Sequence, residues 1–128
     1  MTAVTAVPAG ETTKHAMVRT LTELDVEYAF TLPGLGVTWM LDEFYAKRKD
    51  LRVVLTRGEQ VASIMAQVVG RLTGKPGVYM GQGPFASTTG AFGILEAYFS
   101  GSPMLVLTDT SCYEGFGMYG VYQTMTGD

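Results

Sequence analysis

The sequence predicts an α/β domain in which a parallel β-sheet is flanked by helices on both faces. Three observations predict it. Helical and strand patterns alternate along the chain, the mark of a parallel sheet joined by helical crossovers. The strand segments are short, continuous apolar runs, which suits burial on two sides. Each strand segment leads into a loop that carries glycine, where a strand-to-helix turn is easily made.

The elements follow in order. "MTAVTAVPAG" reads as a flexible tail over residues 1–11, without the basic region of a signal peptide. "ETTKHAMVRTLTELD" places Ala16, Met17, Leu21 and Leu24 at helical spacing, with Thr12 or Thr13 able to cap. "VEYAFTL", Val26 to Leu32, is a strand that ends at Pro33-Gly34. "VTWMLDEFYAKR" is an amphipathic helix with Met40, Leu41 and Phe44 inward. "LRVVLT", Leu51 to Thr56, is the second strand. A helix opens at Glu59 and stops at Gly74 and Pro76. "GVYMG", Gly77 to Gly81, is the third strand, and "QGPFAST" is a loop. "GAFGILEAYFSG" is a helix rich in small residues, and "PMLVLTD", Pro103 to Asp109, is the fourth strand. The remaining tail, Thr110 to Asp128, is rich in glycine and tyrosine and has no clear period.

The bulk properties narrow the function. At 128 residues the chain suffices for one domain with a real core. Charged residues are 16% and hydrophobic residues 47%, against about 25% charged in an average soluble domain. Such a surplus of apolar surface implies a partner chain or a further domain. The net charge of -3, without a basic block, argues against nucleic acid. The single Cys112 allows no internal disulfide and fits a reducing cytoplasm; no motif surrounds it. No apolar run is long enough for a membrane span.

The Glu59 helix carries the most information. On a helical wheel Val61, Ile64, Met65, Val68 and Leu72 form a large apolar face, expected to pack on the sheet. Gln60, Gln67 and Arg71 form a narrow polar strip. Glu59 falls on a third face with Ala62, Ser63, Ala66, Gly70 and Thr73. A solvent-facing helix would carry lysines and glutamates there. Small neighbours instead admit a backbone or a ligand, so Glu59 is expected to look inward or into an interface. The plain alternative is an acid at a helix start, favoured by the dipole. An acid shielded from water tends to hold its proton more firmly and can share it.

Other motifs carry less. "PGLGVTW" lacks the full glycine set of a dinucleotide loop and the acid that should follow it. "GRLTGKP" has the wrong spacing for a phosphate loop and sits at a helix end. There is no histidine or cysteine cluster for a metal. The one histidine, His15, lies in the first helix, away from any serine-acid pair. In a parallel sheet the loops after the strands gather at one edge and build the site. Here they are "PGLG", "RGE", "GQGPFAST" and "DTSCYEG".

The block "RGEQVASIMAQVVGRLTGKPGV" resembles the pyrimidine-binding (Pyr) domain of thiamine-diphosphate enzymes of the acetolactate synthase and 2-oxoacid decarboxylase group. Arg57, Glu59, Gln60, Ala62, Met65, Ala66, Arg71 and the run Thr73 to Val78 match the family pattern. "FTLPG" matches at Phe30, Pro33 and Gly34, and "GPFAST" at Gly83 and Pro84. The resemblance runs from about Thr12 to the C-terminus. Gly58 stands where the family has histidine, Phe85 where it has glycine, and Thr88 where it has asparagine.

The resemblance implies the thiamine-diphosphate-binding fold of Pyr type over residues 12–128, with its last helix and strand absent from these residues. It implies thiamine diphosphate as cofactor, contacted by Leu32, Pro33, Gly34, Glu59, Pro84, Thr88 and Gln123. Glu59 would be the catalytic residue. In the family the matching glutamate bonds N1′ of the aminopyrimidine and favours the 4′-imino tautomer, which takes the C2 proton. The resulting ylid attacks a 2-oxoacid. Mg²⁺ and the diphosphate would be held by a diphosphate-binding domain or subunit, for which no Gly-Asp-Gly motif occurs here. The resemblance implies a homodimer or higher oligomer, with the site between subunits. The chain would be part of a longer polypeptide or the small subunit of a split decarboxylase. The contrasting expectation is a catalytically inactive Pyr-like module that serves subunit pairing or regulation.

Overall fold

The computed structural model describes residues 8–109. Met1 to Val7, Cys112, Gln123 and the rest of the C-terminal tail lie outside the described residues. The first helix is α1, Thr13–Glu23. Thr12 is its N-cap and its hydroxyl accepts the His15 N–H, meeting one of the donors a helix start leaves open. β1, Tyr28–Thr31, follows. The single helix expected over residues 37–48 is two pieces, α2 (Leu35–Thr38) and α3 (Leu41–Ala46). Met40 and Phe44 are buried as expected, and Leu41 packs at the edge of the same cluster.

β2, Arg52–Leu55, leads to α4, Glu59–Thr73. Gly74 ends α4 with φ 69°, the left-handed conformation that favours glycine. β3 is Gly77–Gly81. The expected loop "QGPFAST" is instead a short helix, α5, Gly83–Ser87, with Pro84 in its first turn, where a missing N–H costs nothing. α6 is Ala91–Ser100 and β4 is Met104–Thr108. Among the described residues no helix is long and apolar enough to cross a membrane.

The four strands form one parallel sheet in the order β2-β1-β3-β4. Central strands β1 and β3 are covered on both faces, whereas edge strands β2 and β4 are partly exposed. One face carries α1, α2 and α3 over Ala29, Val78 and Met80, with Val18, Leu21, Val37, Met40 and Phe44. The other carries α4, α5 and α6 over Phe30 and Tyr79, with Ala62, Ala66, Ala86 and Ile94. Strand alternation sends neighbouring residues to opposite cores. The chain leaves β1 toward one face and β3 toward the other, so the sheet has its switch point between these two strands.

The packing of α4 corrects the wheel. The face toward the protein is the small one: Ala62, Ser63, Ala66 and Gly70 are buried. The apolar face stays open, with Val61 at 43%, Val68 at 40% and Leu72 at 79% exposure. The reason is distance of approach. A Cβ on Gly93 of α6 would fall inside the backbone of Ser63 and Ile64. One on Gly70 would overlap the Pro103 carbonyl, and one on Gly77 that of Ala66. Helix and sheet therefore meet backbone to backbone, closer than leucine-sized side chains permit. Gln67, read as part of the polar strip, is also buried; its Nε2 donates to Ser100 (3.3 Å) and Ser102 (3.2 Å).

Candidate functional site

The carboxyl ends of the strands and the loops after them form one edge. Thr56 fastens the loop after β2 to the end of β1. Its N–H donates to the Thr31 carbonyl at 2.8 Å, and its hydroxyl donates to Thr31 O (3.2 Å) and Gly58 O (3.0 Å). Gly58 is buried and extended, and its carbonyl accepts the N–H groups of Val61 and Ala62. Glu59 thus enters as the first residue of α4, on the side of the helix that packs inward. It is half-buried. The Thr89 hydroxyl donates to its Oε2 at 3.4 Å and to the Phe85 carbonyl at 2.9 Å. Among the described residues no Lys, Arg or His nitrogen lies within 4 Å of its carboxylate.

Leu32, Pro33 and Gly34 follow directly on β1, at the switch point. Across the switch point Gln82, which follows β3, lays its side chain against Gly34, where a Cβ would collide with it. Pro84 is half-buried in the first turn of α5. Thr88 is the exposed C-cap of α5, and its hydroxyl donates to the Pro84 carbonyl at 2.7 Å. The Gly83 N–H donates to Asp109 Oδ1 at 2.7 Å and ties the loop after β3 to the end of β4. Phe85 presents half of its ring to solvent at this edge.

The structure therefore brings Glu59 to the turn between α5 and α6, and Gly34 to Gln82. Three residues were missed by sequence reasoning. Thr89 supplies the hydroxyl that reaches Glu59, and its place in a "TT" pair ahead of a glycine gave no signal of that contact. Gln82 was hidden in a segment read as a loop. Tyr79 lies fully buried beneath the edge, and its hydroxyl has no hydrogen-bond partner among the described residues. Burial first, and then the Glu59 charge, hold that phenol well above the usual tyrosine range. A tyrosine two residues before a glycine in a buried strand was its one visible signal.

A parallel sheet with helices on both faces, its strand-end loops meeting at a switch point beside a half-buried acid, defines the class: an α/β domain. Residues 11–127 match the family described as "Thiamine pyrophosphate enzyme, N-terminal TPP binding domain", and the chain belongs to it. Its fold is that of the Pyr domain. An acetolactate synthase of Bacillus subtilis is 40% identical over 92 residues, covering 71% of this chain and 16% of that protein. A probable 2-ketoarginine decarboxylase of Pseudomonas aeruginosa is 36% identical over 103 residues, 78% of this chain and 18% of that one. The acetolactate synthase large subunit of Corynebacterium glutamicum is 33% identical over 103 residues, 80% and 16%. The chain thus spans less than a fifth of the length of these relatives.

Proposed function

We propose that this chain is the pyrimidine-binding domain or subunit of a thiamine-diphosphate-dependent 2-oxoacid decarboxylase or acetolactate synthase-like carboligase. One observation carries the reading. Glu59 is a half-buried carboxylate at the strand-end edge, with one long hydrogen bond from Thr89 and no described cation beside it. Such an acid has lone pairs to offer a heterocycle. The residues around it fit an aminopyrimidine. Leu32, Pro33 and Gly34 present backbone at the switch point, and Pro84 and Phe85 present apolar surface. Thr88 would contribute its outer face, since its hydroxyl is bonded within α5. Gln123, the last residue of the expected set, lies outside the described residues.

When bound, thiamine diphosphate supplies a thiazolium carbon that adds to a 2-oxoacid carbonyl and takes up the electron pair left by CO₂. The part of this chain is to hold a proton between the Glu59 carboxylate and N1′ of the aminopyrimidine, and to keep water from that contact. Mg²⁺ and the diphosphate belong, in this reading, to a completing domain or subunit. The open apolar face of α4, with Phe92, Leu95 and Phe99 of α6 also exposed, supports such a partner or a second copy of the chain.

The test is Glu59→Gln in the assembled enzyme. Hydrogen–deuterium exchange at C2 of bound cofactor is expected to fall by at least about a hundredfold, the scale of a lost proton-transfer group. Circular dichroism should be unaltered. Exchange at the wild-type rate would reject the role and favour a pairing module without chemistry.

A further inference from the structure

We propose that Tyr79 is a positioning residue for Glu59: its buried hydroxyl donates through one enclosed water to the Glu59 carboxylate and keeps it turned toward the strand-end edge. The role within catalysis rests on the reading of Glu59 given above; the hydrogen bond itself does not.

The geometry comes from two glycines. Val78 and Met80 face the α1 side of the sheet, so Tyr79 faces α4 and α6. Gly81 lies two residues further along the same face. A Cβ there would overlap the Tyr79 hydroxyl, and so would a Cβ on Gly90. The phenol therefore leans toward the carboxyl end of the sheet and ends beneath the turn at Gly90. Thr89, next to Gly90, is the residue that donates to Glu59. From the other side, Ala62 packs in one cluster with Tyr79, and Ala62 lies one turn after Glu59 on α4. Acid and phenol thus converge on the same turn.

A buried hydroxyl without a partner among the described residues calls for an explanation. Among the described residues the surrounding charges leave one candidate. On α4, Arg71 pairs with Glu96 of α6 at 3.7 Å, toward the far end of the helix. Tyr28 of β1 accepts from Arg52 of β2 at 3.3 Å, at the opposite end of those strands. Asp109, beyond β4, is held by the Gly83 N–H. α5 carries no titratable side chain. Glu59 remains, and its charge acts on the phenol.

The experiment is a carbon-13 NMR titration of side-chain carboxyls in the glutamate-labelled full-length protein without cofactor. The Glu59 signal is identified by its loss in Glu59→Gln. A hydrogen-bond donor favours the carboxylate, so Tyr79→Phe should raise the Glu59 midpoint by about one pH unit, the size expected for one bond to a charged group. Tyr28→Phe, whose hydroxyl serves Arg52, should leave the midpoint in place. In the assembled enzyme the pH profile of C2 exchange should move with Tyr79→Phe by the same amount. An unmoved midpoint in a folded Tyr79→Phe protein overturns the inference and assigns the hydroxyl to a backbone carbonyl such as that of Ala86. That failure is separate from failure of the Glu59 reading, which is scored by C2 exchange in Glu59→Gln alone.

Discussion

At the scale of the residue, identical chemistry has opposite consequences in different places. Gly58 and Gly93 are both buried glycines. Gly58 is extended at φ -177°, a conformation open to any residue, and a Cβ there meets only the flexible end of Gln60. Gly58→Ala is expected to change unfolding free energy in urea by less than about 1 kcal/mol, helped by a less floppy unfolded chain. Charged residues behave as locally. Arg19 donates from Nε (2.9 Å) and Nη2 (3.0 Å) to Glu11 and from Nη1 (2.8 Å) to Glu23. The hydrogen bond from Arg19 holds the Glu11 carboxyl below its ordinary value of 4.5. The folded state then binds a proton less readily than the unfolded chain. Stability from this pair is complete above pH 4.5 and is lost as pH falls through the depressed value. Arg19→Met should flatten the fall in melting temperature over that acid range; an unchanged slope would show that the fork contributes nothing.

At the scale of the element, α4 and α6 are joined by contacts that only small residues allow. The Ser63 hydroxyl accepts the Gly93 N–H at 3.2 Å and donates to the Gln60 carbonyl at 3.1 Å. Gly93→Ala would gain helix propensity of about 1 kcal/mol yet force the two backbones apart. Overpacking of this kind costs about 1–3 kcal/mol, and against backbone it belongs at the upper end. The urea midpoint should fall accordingly, and a rise would mean that the helices slide without cost. On the opposite face Phe44 anchors α3 at 1% exposure. Phe44→Ala should cost about 3–5 kcal/mol in the same assay.

At the scale of the whole molecule, the question is what meets the open face of α4 and α6. Val68 and Leu72 are exposed, so Val68→Asp with Leu72→Asp should leave the isolated fold stable within about 1 kcal/mol. In the proposed assembly the same pair should weaken association strongly, read by sedimentation across a concentration series. Unchanged sedimentation would place the partner elsewhere. Much of the molecule was legible beforehand. Alternating patterns marked the four strands and the long helices, because apolar periodicity reports local geometry directly. Thr12 was legible as one of two candidate caps, Gly74 as a stop, and Glu59 as an acid on a small-residue face. The split of α2 from α3 and the helix α5 were not, since short helices carry too few turns to show a period.

Local rules thus decided the order of elements, the parallel sheet and the family, each of which depends on neighbours within a few positions along the chain. Tertiary structure decided which face of α4 turns inward. Burial follows how closely two backbones can approach, and that depends on glycines more than twenty residues away, at Gly93. It likewise decided that Thr89 reaches Glu59, and that the Tyr79 hydroxyl ends beneath Gly90. Such contacts join segments distant in sequence, so no local pattern encodes them.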